Sequence, residues 1–132
     1  MEIVVDTSVL IAVITNEDEK EKLVAMTDEA ELIAPLSVHW EIGNAFSSLL
    51  KRKRITIDEA LQAIEIYLQI PVRFVEVELA ESLELANELG LYAYDAYLLR
   101  CAAKHRLPLL TLDARLIQAA KEKKIQVLEV AE

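Results

Sequence analysis

The chain has 132 residues, is 54% hydrophobic, and carries 23 Asp and Glu against 14 Lys and Arg, for a formal charge of −9. That size fits one domain over residues 1–132, with a core burying roughly two thirds of the unfolded surface; the composition excludes a disordered polyelectrolyte, and no apolar run nears the roughly 18 residues of a membrane span. The lone Cys101 excludes an internal disulfide or a cysteine zinc site, and the two glycines, Gly43 and Gly90, exclude the phosphate-cradling P-loop and the dinucleotide fingerprint.

Ile3-Val4-Val5 predicts a strand over residues 2–5 with no basic leader or small-residue cleavage site before it, so the cytoplasm is the expected compartment. A short helix is expected after Asp6 and a second over residues 17–28. Leu32-Ile33-Ala34 predicts the second strand, ended by Pro35, and Ser37 is placed to cap a helix carried by Ile42, Phe46, Leu49 and Leu50 to the basic run Lys51-Arg52-Lys53-Arg54. Thr56-Ile57-Asp58-Glu59 reads as a capping box, opening a helix with Ala60, Leu61, Ile64 and Leu68 as its apolar face; Pro71 stops it. Val72 to Val77 alternates like a strand. A helix over residues 79–89 closes at Gly90, and another spans 93–106. After Pro108, Leu109 to Leu112 predicts a strand buried on both faces, Asp113 starts a helix ending near Lys124, and residues 125–130 supply a last strand.

Strands that alternate with helices, with no two-residue hairpin signal, predict an α/β fold: a three-layer α/β/α sandwich around a mostly parallel sheet. Sites in such sheets form beyond the carboxyl ends of the strands, where Asp6 and Asp113 stand. Glu41 and Asp95 stand out because their helical neighbours are mostly apolar; Asp95 shares a stripe with Leu98, Leu99 and Ala102. Taken singly, Asp6, Asp95 and Asp113 have a structural explanation as N-cap or first-turn residues, and Glu41 as a surface acid in an ion pair. Taken together they form a set of hard oxygen donors, and burying ionised carboxylates requires a cation or hydrogen bonds to offset the cost. Mg²⁺ or Mn²⁺ fits them.

Net acidity argues against broad binding to nucleic acid, but two local basic groups soften this, Lys51 to Arg54 and the set Arg100, Lys104, His105 and Arg106. Arg52 lies eleven residues after Glu41, so one helical stripe places them about 16 Å apart, with Asn44 and Ser48 nearby. Lys51, Arg52, Arg54 and Arg115 are candidate contacts to a phosphate backbone. His39 and His105 read as packing or surface residues and Cys101 as a small buried hydrophobe. Trp40, Tyr92, Tyr94 and Tyr97 read first as core or dimer contacts and second as platforms for bases.

The series Val-Asp6-Thr7-Ser8-Val-Leu, Glu41-Ile-Gly-Asn44-Ala, Tyr94-Asp95-Ala96-Tyr97 and Leu-Thr111-Leu-Asp113-Ala-Arg115-Leu resembles the PIN domain in order and spacing, over the whole chain, at the length of VapC-type toxins. The resemblance implies a Mg²⁺- or Mn²⁺-dependent endoribonuclease with Asp6, Glu41, Asp95 and Asp113 as its acidic quartet. Thr7, Asn44 and Thr111 match supporting polar positions. It also implies a homodimer and a small antitoxin partner whose C-terminal segment blocks the acids, often with an arginine. Gly43 and Ser47 permit close approach of dimer helices. Metal-held carboxylates suit phosphodiester hydrolysis, which needs an activated water and charge neutralisation in the transition state. The alternatives are a PIN nuclease of RNA processing outside any toxin pair, a Mg²⁺-dependent phosphatase or phosphoacceptor using Asp6 as nucleophile, and a binding module with a structural cation.

Overall fold

The computed structural model describes residues 1–130. In chain order it contains β1 (Glu2–Val5), α1 (Thr7–Ile14), α2 (Lys20–Thr27), β2 (Glu31–Pro35), α3 (Ser37–Lys51), α4 (Ile57–Leu68), β3 (Val72–Val75), α5 (Leu79–Leu89), α6 (Ala93–His105), β4 (Leu109–Leu110), α7 (Ala114–Glu122) and β5 (Val127–Leu128). The five strands form one sheet in the order β3-β2-β1-β4-β5, every pair parallel. The α/β expectation holds. β1 lies in the middle, with Val4 opposite both Ile33 of β2 and Leu109 of β4. Ile3, Val4, Val5, Ile33, Leu109 and Leu110 are sealed from solvent, as strands covered by helices on both faces require.

Connections from β1 run outward to β2 and β3, then the chain crosses back to β4 on the other side of β1. The strand order therefore reverses between β1 and β4, which leaves there the crevice where parallel α/β folds place their ligands. Asp6 leaves β1 there and Thr111 leaves β4 there.

Several boundaries differ from the sequence expectation for local reasons. Pro35 pairs with Val75 as the last residue of β2 instead of standing outside it, which a strand end tolerates because the missing N–H ends the ladder. Ser37 is the first residue of α3, not its cap; Leu36 holds the cap position without a side-chain bond. β4 stops at Leu110 because the Thr111 hydroxyl takes the amide of Asp113 at 3.0 Å and turns the chain. β5 is likewise shorter than residues 125–130. The capping box of α4 is present in both halves, Thr56 Oγ1 accepting from Glu59 N and Glu59 Oε1 from Thr56 N. Gly90 caps α5 at φ 66, in the left-handed region.

The face of α4 is the main correction to the packing. Ala60 and Tyr67 are its buried residues, with Ala63 and Ile64 partly buried, whereas Leu61 is 56% and Leu68 65% exposed. Tyr67 turns inward because its hydroxyl has a partner there, His39 Nδ1 at 2.9 Å. Cys101 is buried, and that burial pushes its thiol up to about 11.

Candidate active site

Asp6 ends β1 and caps α1, and is only 5% exposed. Both of its oxygens are engaged: Oδ1 accepts from Ser8 Oγ at 2.6 Å and from Val9 N at 3.2 Å, and Oδ2 accepts from Thr111 Oγ1. Burial raises its pKa against those bonds, and the nearby charge of Asp113 raises it further. Ser8 does more than cap, because its Oγ also accepts from Leu112 N at 3.0 Å and so ties the end of β1 to the end of β4. Sequence reasoning gives Ser8 no role of its own. Its signal is the Asp-Thr-Ser step just after a strand, a spacing at which a hydroxyl reaches back to the acid two residues before.

Glu41 sits one turn into α3, partly buried, and its Oε2 accepts from Thr7 Oγ1 at 3.3 Å. Its Oε1 is shut off from solvent with no hydrogen-bond partner. Burial raises the pKa of Glu41, and the charges of Asp6 and Asp95 add to the rise. Asp95 lies in the first turn of α6, partly buried, with its pKa raised by burial and by Asp113, while the positive charge of Arg115 opposes the rise. Asp113 caps α7, its Oδ1 accepting from Arg115 N at 2.9 Å and from Leu116 N at 3.4 Å. It is exposed, and the two helix amides hold it.

Four elements thus bring the acids into an electrostatic chain: Asp113 acts on Asp6 and on Asp95, and Asp6 and Asp95 both act on Glu41. Asp6 and Asp113 also cap helices, so for these two the cap reading holds and is compatible with a site reading. Among the described residues, no three His, Cys, Asp or Glu side chains stand close enough to hold an ion as they are. The donor chemistry nevertheless fits a hard divalent cation: all are carboxylate oxygens, and the unpartnered Glu41 Oε1 is a buried acceptor that a cation satisfies.

Of the supporting residues, Thr7 and Thr111 bond directly to acids, whereas Asn44 is exposed on α3 and, among the described residues, bonds to none of them. Lys51, Arg52, Lys53 and Arg54 are all exposed and form no ion pair among the described residues. The second basic group is corrected: Arg100 Nε and Lys104 Nζ both hold Glu78, each at 2.8 Å, and are spent on it. Of the core-or-dimer reading of the aromatics, the core half is corrected for three: Trp40 is 69%, Tyr92 80% and Tyr94 56% exposed in this chain.

No curated protein matches the chain in sequence. Among solved structures, PAE2754 from Pyrobaculum aerophilum is similar at 25% identity and a TM-score of 0.74, over 96% of this chain and 83% of that one. VapBC2 from Rickettsia felis, solved bound to a DNA fragment from its promoter, is similar at 14% identity and a TM-score of 0.66, over 97% and 98%. VapC20 from Mycobacterium tuberculosis, described as a sarcin-ricin loop cleaving toxin, is similar at 18% identity and a TM-score of 0.63, over 89% and 94%. The family model of the PIN domain matches residues 3–122, and with the parallel sheet and the acids at its switch point, this places the chain in the PIN-domain family.

Proposed function

We propose that this chain, taken as one nuclease domain over residues 1–132, is a Mg²⁺- or Mn²⁺-dependent endoribonuclease that hydrolyses RNA phosphodiester bonds. PIN domains are generally metal-dependent nucleases. The observation that carries the reading is Glu41, a half-buried acid with one unpartnered oxygen whose pKa both Asp6 and Asp95 raise. Asp6 and Asp95 are assigned as the direct ligands, with Glu41 and Asp113 completing the site. A divalent cation held by these acids would supply charge neutralisation at the phosphate and a more acidic attacking water. The other residues keep the acids aimed: Ser8 and Thr111 fix Asp6, and Thr7 fixes Glu41. Arg115, whose positive charge reaches Asp95, is assigned to meet a phosphate oxygen. Lys51, Arg52 and Arg54 extend that contact along the strand, about 16 Å from Glu41.

The test is cleavage of structured RNA with Mn²⁺. Asp6→Asn and Asp95→Asn are each expected to lose at least about 100-fold in rate; parental activity in either removes the assignment.

The finer reading is the toxin of a VapBC-type pair. Likeness in fold to VapBC2 and VapC20 favours it. The concentrated negative charge suits a small antitoxin that inserts a basic segment. A homodimer through α3 suits Gly43, which has open space where a side chain would stand, and the exposed Ser47. Co-purification with the product of the neighbouring gene checks this: a bound neighbour that suppresses cleavage supports the toxin role, and full activity beside it favours a PIN nuclease of RNA processing.

A further inference from the structure

Among the described residues, three side-chain polar atoms are sealed from solvent with no hydrogen-bond partner: Ser37 Oγ, Glu41 Oε1 and His105 Nε2. His105 stands apart, in the last turn of α6, about 15 Å along that helix from Asp95. The other two share a helix. Ser37 and Glu41 are four residues apart on α3, so they lie on one row, one above the other. That row, continued by Ala45, is half-buried and flanks the buried row of Val38, Ile42 and Phe46.

Each of the two atoms lacks what the other holds. Glu41 Oε1 is an acceptor without a donor, and Ser37 carries a hydroxyl hydrogen without an acceptor. Helical side chains tilt toward the N-terminus, which carries the Glu41 carboxylate back over the turn that Ser37 opens. Its other neighbours supply no donor there. Thr7 gives its hydroxyl to the second oxygen, Oε2, at 3.3 Å, and Asp6 and Asp95 only accept when ionised. Val38 and Ala45 are apolar, and Asn44 is exposed. Ser37 has no competing task, because it is the first residue of α3 and Leu36 holds the cap position. A sealed hydroxyl that served nothing would weaken the fold relative to Ala, since nothing would offset its desolvation.

We propose that Ser37 is a positioning residue of the acidic site: its hydroxyl donates to Glu41 Oε1 as the carboxylate turns to a divalent cation, and fixes the orientation in which Glu41 meets that cation. The inference rests on the metal-dependent nuclease reading and adds a residue to it. The two atoms form no hydrogen bond here, and rotation about the side-chain torsions of the two residues closes the gap. A carboxylate oxygen has two lone pairs, so Oε1 accepts from Ser37 and faces the cation at once. With Thr7 on Oε2, both oxygens of Glu41 are then held, as both oxygens of Asp6 are held by Ser8 and Thr111.

Mn²⁺ binding to the RNA-free protein, read by electron paramagnetic resonance, tests this without cleavage. Ser37→Ala is expected to weaken Mn²⁺ affinity by roughly 10-fold, and Ser37→Thr, which keeps the hydroxyl, to retain most of it. Adding Ser37→Ala to Glu41→Ala changes nothing further, because the acceptor is gone. Ala is a strong helix former, so Ser37→Ala keeps the fold, as circular dichroism checks. Parental Mn²⁺ affinity in Ser37→Ala, a loss that Ser37→Thr shares, or an equal loss with and without Glu41 overturns the proposal. The nuclease reading fails separately. A chain that binds Mn²⁺ with this dependence on Ser37 and cuts no RNA keeps the positioning role and loses the nuclease. Cleavage by a protein whose Mn²⁺ affinity ignores Ser37 removes the positioning role alone, and a parent that binds no Mn²⁺ removes both.

Discussion

At the scale of single residues, the site is a balance between burial and repulsion. Burial raises the pKa of Asp6, Glu41 and Asp95, so the folded chain holds those protons more tightly than the unfolded one. Stability then falls as pH rises from the ordinary values, 3.8 for Asp and 4.5 for Glu, through the raised folded values. Glu78 acts in the opposite sense. Its hydrogen bonds from Lys104 and Arg100 hold it at about 2, so its contribution is complete above 4.5 and is lost as pH falls toward 2. The melting temperature in EDTA is therefore expected to peak on the acid side of neutrality. A curve that climbs steadily to neutral pH in thermal melts contradicts this. Asp6→Asn should flatten the limb on the neutral side while leaving the acid limb due to Glu78. Saturating Mg²⁺ should flatten the same limb, since a cation favours the deprotonated acids.

Among the elements, α4 shows how packing overrides a sequence stripe. Leu61 and Leu68 share the helical stripe read as its core face, yet the helix turns Tyr67 inward instead, to the His39 ring at 2.9 Å from its hydroxyl. Urea unfolding should rank the substitutions accordingly. Tyr67→Phe loses one hydrogen bond, about 1 kcal/mol, and Tyr67→Ala loses about 3–5 kcal/mol by leaving a cavity. Leu68→Gln should stay within about 0.5 kcal/mol of the parent. A large loss at Leu68 would mean that the exposed stripe is packed in solution. Gly90→Ala forces an L side chain to φ 66 and should cost about 1–2 kcal/mol.

For the whole molecule, the balance of charge decides how RNA is approached. The net charge of −9 repels a polyanion, and Lys51 to Arg54 is an exposed basic run with no ion pair among the described residues, whereas Glu78 has engaged Arg100 and Lys104. Affinity for single-stranded RNA should therefore fall steeply with salt. Replacing Lys51, Arg52 and Arg54 by Ala should lower the slope of log K against log salt by about 0.7 for each phosphate that is no longer neutralised. An unchanged slope would place the RNA elsewhere. Divalent metal should raise the melting temperature, because only the folded chain assembles the acids; a melting temperature indifferent to millimolar Mg²⁺ and Mn²⁺ counts against the metal site.

The alternation of strands and helices, the capping box at Thr56, the left-handed Gly90, the position of Asp6 at a strand end and that of Asp113 at a helix start were all legible in the sequence, because each depends on residues close together in the chain. The resemblance to the PIN domain likewise came from four local motifs. The strand order, the placing of Thr111 and Ser8 around Asp6, the loss of Arg100 and Lys104 to Glu78, and the outward turn of Trp40 and Leu68 were decided only by tertiary structure. Periodicity says that a helix has an apolar face; which apolar residues that face buries depends on the partners that chain-distant elements bring to it.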